Sequence, residues 1–240
     1  MDRTTASAVF WGGLGMCLAT SAAASAAEAD GPAVAVADED RPPAAKADSP
    51  AGLRPSFEAG ARLGLGVPFG GVDAGNKDAV GETMSLMVPI WLEAGVRIRQ
   101  KWHVGLYLVI GPGTLGGGLN AACSLPDGCH VVDIQFGASA HYHARPGKTF
   151  DPWVGVGAGH EWLSILTSGG GPTADGWTWL LIESGVEIKA SERAVWGPFV
   201  TASLGRYESF GNRFLAARPP DLALHEWLML GVRVAYDFLH

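Results

Sequence analysis

The side chains of this chain that could do chemistry are few and scattered. His141 and His143 stand two apart, and Asp133 and Gln135 share their parity. Residues two apart on an extended strand project to one face, so the two imidazoles could hold a transition metal. The alternative, preferred here, is a pair of polar side chains near one rim. His160, Glu161 and Ser164 offer an imidazole, a carboxylate and a hydroxyl. A serine nucleophile needs the imidazole within hydrogen-bond reach. Four residues along a strand span about 13 Å at 3.3 Å each, too far for a direct bond. No GxSxG, HExxH, P-loop or dinucleotide fingerprint occurs. Gly116-Gly117-Gly118 and Gly169-Gly170-Gly171 lack a following helix and read as loop tips. No catalytic residue, metal or cofactor is expected.

Such residues must be positioned by elements, and composition limits which. Of 240 residues, 48% are hydrophobic, 17% are charged and 34 are glycine. Soluble domains carry about 25% charge and about 7% glycine. The apolar content is too high for a largely disordered chain. The glycines have no three-residue period, which excludes collagen, and the composition is not that of a coiled coil. The net charge is −7, with 17 basic and 24 acidic residues and no basic stripe. Nucleic-acid binding therefore has no electrostatic footprint.

Residues 1–27 read as a cleaved secretory signal: Arg3 precedes an uncharged stretch from Ala8 to Ala27, and Ser25-Ala26-Ala27 suits a peptidase. A membrane-spanning helix is disfavoured because the second half is Ala and Ser. Cys17 follows Leu14-Gly15-Met16, where a lipoprotein would have a small residue before the cysteine. Residues 28–54 are Ala, Pro, Asp and Glu with almost no large apolar side chain, and read as a disordered tail. Cleavage leaves Cys123 and Cys129. An even count in an exported chain favours a disulfide between them.

From residue 55 onward the chain alternates apolar with polar or glycine residues. Eight stretches stand out, at about 56–67, 83–99, 102–111, 131–144, 153–165, 177–189, 196–208 and 225–239. The period is 2, not 3.6, which predicts β-strands. Short turns alternate with longer loops at about 68–82, 112–130, 166–176 and 209–224. That is an all-β, antiparallel, up-and-down meander with two distinct ends.

An alternating strand has an apolar lane and a polar lane, and parity alone does not say which faces out. Three features place the polar lane inside. It is crowded with glycine (Gly60, Gly64, Gly95, Gly137, Gly185 and Gly231 among others), as a narrow lumen requires. It balances its signs, with Glu58, Glu93, Asp133, Glu183, Glu187 and Asp237 against Arg62, Arg97, Arg99, Lys189 and Arg233. Arginine's planar fork suits buried ion-pair networks. Aromatic residues collect near the strand ends: Phe57, Trp102, Tyr142, Trp153, Trp196, Tyr236 and Phe238 at one, and Phe69, Trp162, Trp177, Trp179, Phe210 and Trp227 at the other. Two girdles suit two membrane interfaces. The parity of Trp153 and Trp177 is ambiguous. These features predict a transmembrane barrel over residues 55–240. Its lumen would be filled by a salt-bridge network of Glu58, Arg62, Glu93, Arg97, Arg99, Asp133, Glu183, Glu187, Arg233 and Asp237.

Strand count, parity, loop alternation and the final strand Leu228-Met229-Leu230-Gly231-Val232-Arg233-Val234-Ala235-Tyr236-Asp237-Phe238 resemble the small eight-stranded outer-membrane barrels of the OmpA or OmpX type. The resemblance covers residues 55–240. It implies a bacterial outer-membrane location, a monomer, and contact with outer-membrane lipid and lipopolysaccharide. It also implies a terminal aromatic signal, Tyr236 and Phe238, read by the barrel-assembly machinery. Here Leu239-His240 follow Phe238, a departure of two residues from that pattern. No peptidoglycan-binding domain follows. Architecture predicts location better than activity, so the expected role is non-enzymatic, structural or interactive, with an extracellular partner bound through the long loops. A soluble periplasmic, lipocalin-like barrel binding a small apolar ligand is the alternative. A lipid A-modifying deacylase or acyltransferase, using His160 and Ser164, is the second.

Overall fold

The computed structural model describes residues 55–71, 80–117, 123, 128–167, 171–212, 215–217 and 224–238. The signal at 1–27, the tail at 28–54 and Cys17 lie outside the described residues. The elements are β1 (Ser56–Gly70), α1 (Val80–Thr83), β2 (Met84–Met87), β3 (Ile90–Ile98), β4 (Trp102–Leu115), β5 (His130–His143), β6 (Phe150–Leu166), β7 (Pro172–Lys189), β8 (Ala194–Asn212), β9 (Leu215–Ala217) and β10 (Leu224–Asp237).

Each strand pairs antiparallel with its neighbours, and β10 pairs with both β8 and β1, closing the sheet on itself. The ring has eight staves, because β2 and β3 together make one and β9 extends β8 as a short hairpin. The interruption between β2 and β3 follows from Pro89, which has no N–H to donate. Backbone bonds bridge it: Val88 N–H donates to the Pro112 carbonyl at 2.9 Å, and Gly64 N–H to that of Pro89 at 3.3 Å. Closure satisfies the edges that an open sheet would leave unpaired.

Several strands run past the alternating stretches in the sequence. β4 reaches Leu115, β7 begins at Pro172 and β8 continues to Asn212, so the sheet extends into segments expected as long loops. At the other end the connections are tight. Arg99 and Gln100 have φ of 51° and 58°, and Lys101 N–H donates to the Ile98 carbonyl at 3.2 Å. Two successive positive φ values make a mirror-image hairpin turn whose twist matches the strands. Glycine or asparagine usually signals such a turn, and neither is present. Arg99 is therefore exposed in this turn and is not a member of the lumen set.

The apolar lane faces outward. Leu63, Leu65, Leu106, Val154, Val156, Ile182, Leu230 and Val234 each leave about half or more of their surface exposed. Most charged residues of the strands face the lumen instead: Glu58, Arg62, Glu93, Asp133, Glu183, Glu187 and Arg233 are at most 6% exposed. The lipocalin-like alternative required the reverse arrangement, an apolar lane inside, and does not stand. Trp153 points inward at 2% exposure and Trp177 outward at 46%. Trp227, expected in an outer girdle, is also inward, at 1%. Its even-numbered neighbours carry the outward lane of β10, so its parity places it in the lumen.

Candidate functional site

The lumen is layered. The half nearer the short turns is an ionic layer of arginines and carboxylates built from four staves. On β1, Arg62 donates from Nε and Nη2 to Glu93 Oε2 (2.9 and 2.5 Å) and from Nη1 to Glu183 Oε2 (2.9 Å). On β10, Arg233 donates from Nε to Glu93 Oε1 (2.5 Å), from Nη2 to Glu58 Oε1 (2.7 Å), and from Nη1 to Glu187 Oε1. Arg97 reaches Glu58 Oε2 at 2.7 Å and Glu187 Oε2 at 3.2 Å. Glu93 thus joins two guanidiniums, as do Glu58 and Glu187. Arginine's fixed fork lets one side chain satisfy three carboxylates from different staves.

The rings of the layer pack on the same cations. Arg62 lies over Trp91 (4.5 Å), Phe199 (5.3 Å) and Trp153 (5.4 Å), and Arg233 lies 5.6 Å from Trp153. A desolvated guanidinium over an aromatic face is stabilised by the ring quadrupole. Room for the Trp153 indole comes from Gly185: a Cβ there would lie 2.7 Å from the ring. The glycine-rich lane is therefore a packing requirement of the large inward side chains.

His141 and His143 also face this layer. His141 Nε2 is 2.8 Å from Glu183 Oε2, and His143 Nδ1 is 3.1 Å from Asp151 Oδ2. His143, Asp151 and Glu187 bring potential ligand atoms within 4.8 Å of one another. Yet Glu187 already serves Arg97 and Arg233, and Asp151 accepts the Arg145 N–H at 2.8 Å. A metal ion would have to displace or sit beside two guanidiniums, so the geometry favours a charge-paired cluster. Below it, the lumen opens into a cleft of about 130 Å³ lined by Arg97, Gln100, Lys148, Asp151, Glu187 and Asp237.

Asp133 does not join this layer. It lies higher, accepts from Gln135 Nε2 at 2.6 Å, and has no ion pair among the described residues. Its neighbour is a second polar knot that sequence reasoning missed. Glu161, 0% exposed, accepts from Tyr207 Oη (2.6 Å), Trp227 Nε1 (3.0 Å) and Thr178 Oγ1 (3.3 Å), and lies 3.0 Å from His225 Nε2. Strand parity could have found Glu161, since Leu163 and Ile165 share its lane. It does not reveal that Tyr207, Trp227 and His225 from two other staves converge there.

Above the knot the lumen is apolar. Val80, Met84, Met87, Val109, Val131, Leu163, Ile165 and Met229 form one buried cluster, with Cys129 packed against it. A salt-bridge network therefore occupies only the short-turn half, and hydrophobic side chains close the other. Cys123 and Cys129 lie at the long-loop end with their sulfurs 2.14 Å apart.

The hydrolase constellation is not assembled. His160 faces outward, with its ring 4.5 Å from Trp162 and 4.9 Å from Trp177. Ser164 Oγ shares a hydrogen bond with Thr173 Oγ1 at 3.3 Å. Glu161 is on the opposite face of β6, inside the lumen.

No family model and no curated protein matches the sequence. Solved structures do. Neisserial surface protein A is 13% identical over 77% of this chain and 99% of its own, with a TM-score of 0.49. The outer membrane protein OprG of Pseudomonas aeruginosa is 15% identical over 78% and 99%, at 0.44. The outer membrane protein AlkL, solved in lipid bilayers, is 13% identical over 85% and 97%, at 0.47. A closed ring of eight staves with its apolar lane outward is the fold of the small outer-membrane β-barrels.

Proposed function

We propose that this chain is a bacterial outer-membrane barrel, exported by a signal cleaved near residue 27, that serves as a closed, non-enzymatic scaffold. Its long-loop end carries the interaction role. One observation supports this above all: the strands expose their apolar lane and bury their mid-strand charges, leaving outward charges only toward the strand ends. An aqueous exterior would penalise that arrangement, whereas a bilayer rewards it. The length of the staves suits a tilted crossing, which needs about 9–11 residues. The ionic layer acts as the barrel's inner core, and the apolar cluster above it stops the lumen from conducting. The pair Cys123–Cys129 stiffens the loop after β4, and Tyr236 and Phe238 form the signal for assembly. Loops on a rigid scaffold are where binding concentrates.

The test is gel mobility of the detergent-extracted protein, unboiled against boiled, from fractionated host envelopes. A heat-dependent band shift in the outer-membrane fraction is expected. A soluble periplasmic protein with no shift overturns the reading. Planar-bilayer recording should detect no steady conductance, and steady single-channel steps would remove the closed-lumen part.

A further inference from the structure

The outward lane at the long-loop end carries a cation without an acidic partner. Arg206 on β8 is cross-strand neighbour to Trp177 on β7 and to Leu224 on β10, and Trp177 in turn to His160 on β6. The Arg206 guanidinium lies 5.0 Å over the Trp179 ring. Its Nε is shielded from solvent and has no hydrogen-bond partner, and the same holds for His160 Nδ1. Among the described residues Arg206 makes no ion pair, although six other basic or imidazole side chains of the barrel do so.

Its height matters. Leu224, the cross-strand partner, accepts from Gly71 N–H at 3.0 Å, so Arg206 stands level with the top of β1. Below it the outward lane is apolar apart from Glu226: Phe69, Leu180, Ile182, Ala202, Leu204 and Leu228 line an open groove of about 370 Å³. Above it the lane turns polar with Glu208 and Ser209. Arg206 thus marks the upper border of the apolar belt, where a basic side chain costs least in a bilayer and meets headgroups. Glu226 also lines the groove, on β10, where its cross-strand partner is Leu204.

We propose that this face binds the phosphorylated headgroup of an outer-leaflet glycolipid, with Arg206 taking the phosphate and the groove below taking an acyl chain. The inference rests on the membrane reading above. A guanidinium forks onto phosphate oxygens, and it is already oriented by Trp179. Trp177 and Trp179 offer flat, amphipathic surfaces at headgroup height to the sugars. Glu226 opposes the anion and tunes the site downward.

The experiment is native mass spectrometry of the full mature barrel in neutral detergent. It is titrated with diphosphoryl lipid A, with the same lipid after dephosphorylation, and with phosphatidylglycerol. Wild type is expected to retain diphosphoryl lipid A at least tenfold better than the dephosphorylated form. Arg206→Gln should lose that preference, Arg206→Lys should keep part of it, and Glu226→Gln should retain as much lipid or more. Equal retention of both lipid A forms by wild type, or an unchanged preference in Arg206→Gln, overturns the proposal. A weaker Glu226→Gln variant would mean that Glu226 is the partner of Arg206, and would also overturn it. Equal retention of phosphatidylglycerol overturns the glycolipid assignment. A heat-shift gel on each variant separates the two readings: unchanged binding by a heat-modifiable barrel defeats this inference alone, whereas a soluble protein defeats both.

Discussion

Replacing Arg233 by methionine tests whether the ionic layer is one cooperating unit. The guanidinium touches three carboxylates, and the side chains involved are at most 4% exposed. Hydrogen bonds to charged groups contribute roughly 1.5–3 kcal/mol each, which sets a ceiling of about 4.5–9 kcal/mol for three. The ceiling will not be reached, because each carboxylate keeps a second cation: Glu93 keeps Arg62, and Glu58 and Glu187 keep Arg97. Stranding one member of a buried pair costs about 3–5 kcal/mol. We expect a loss in that range, toward the lower end. The assay is equilibrium urea unfolding in lipid vesicles, followed by tryptophan fluorescence. Glu58→Gln added to Arg233→Met should cost less than the sum of the single changes, with a coupling of about 0.5–3 kcal/mol. A single-variant loss below about 1 kcal/mol, or strict additivity, would refute the reasoning.

The outward lane gives a contrasting expectation. Leu230→Arg, at a position 57% exposed and level with Leu65 and Val200, should destabilise the barrel in vesicles by about 2–4 kcal/mol; no loss would mean that this face is not in lipid. Glu161→Gln exchanges an acceptor oxygen for a donor beneath Tyr207, Trp227, Thr178 and His225. It should cost about 1–3 kcal/mol per donor left unsatisfied, and the same urea titration reads it. Thiol alkylation of the mature protein should label neither cysteine before reduction and both Cys123 and Cys129 after it, so labelling without reductant would argue against the bond.

A good part of this molecule was legible along the chain because β-structure writes itself locally. Side chains two apart share a face, so alternation from Ser56 to Asp237 announced strands, separated the two lanes, and put Glu58, Arg62, Glu93, Arg97 and Arg233 together on one of them. Glycine crowding and the arginine preference pointed that lane inward. What parity cannot carry is pairing across the barrel, which depends on stagger and closure. Arg62 meets Glu183 at a separation of 121 residues and Arg233 meets Glu58 at 175, and no local pattern selects those partners among equivalent carboxylates. Closure also sorted what one lane held in common. It gathered the charges at the short-turn end, the methionines and branched residues at the other, and drew Tyr207, Trp227 and His225 around Glu161. Arg99 went the other way, because a two-residue turn of positive φ took it out of its strand. The residue types and their spacing determined which face each side chain takes. The closed ring determined which side chains meet, because only there do distant staves share one narrow interior.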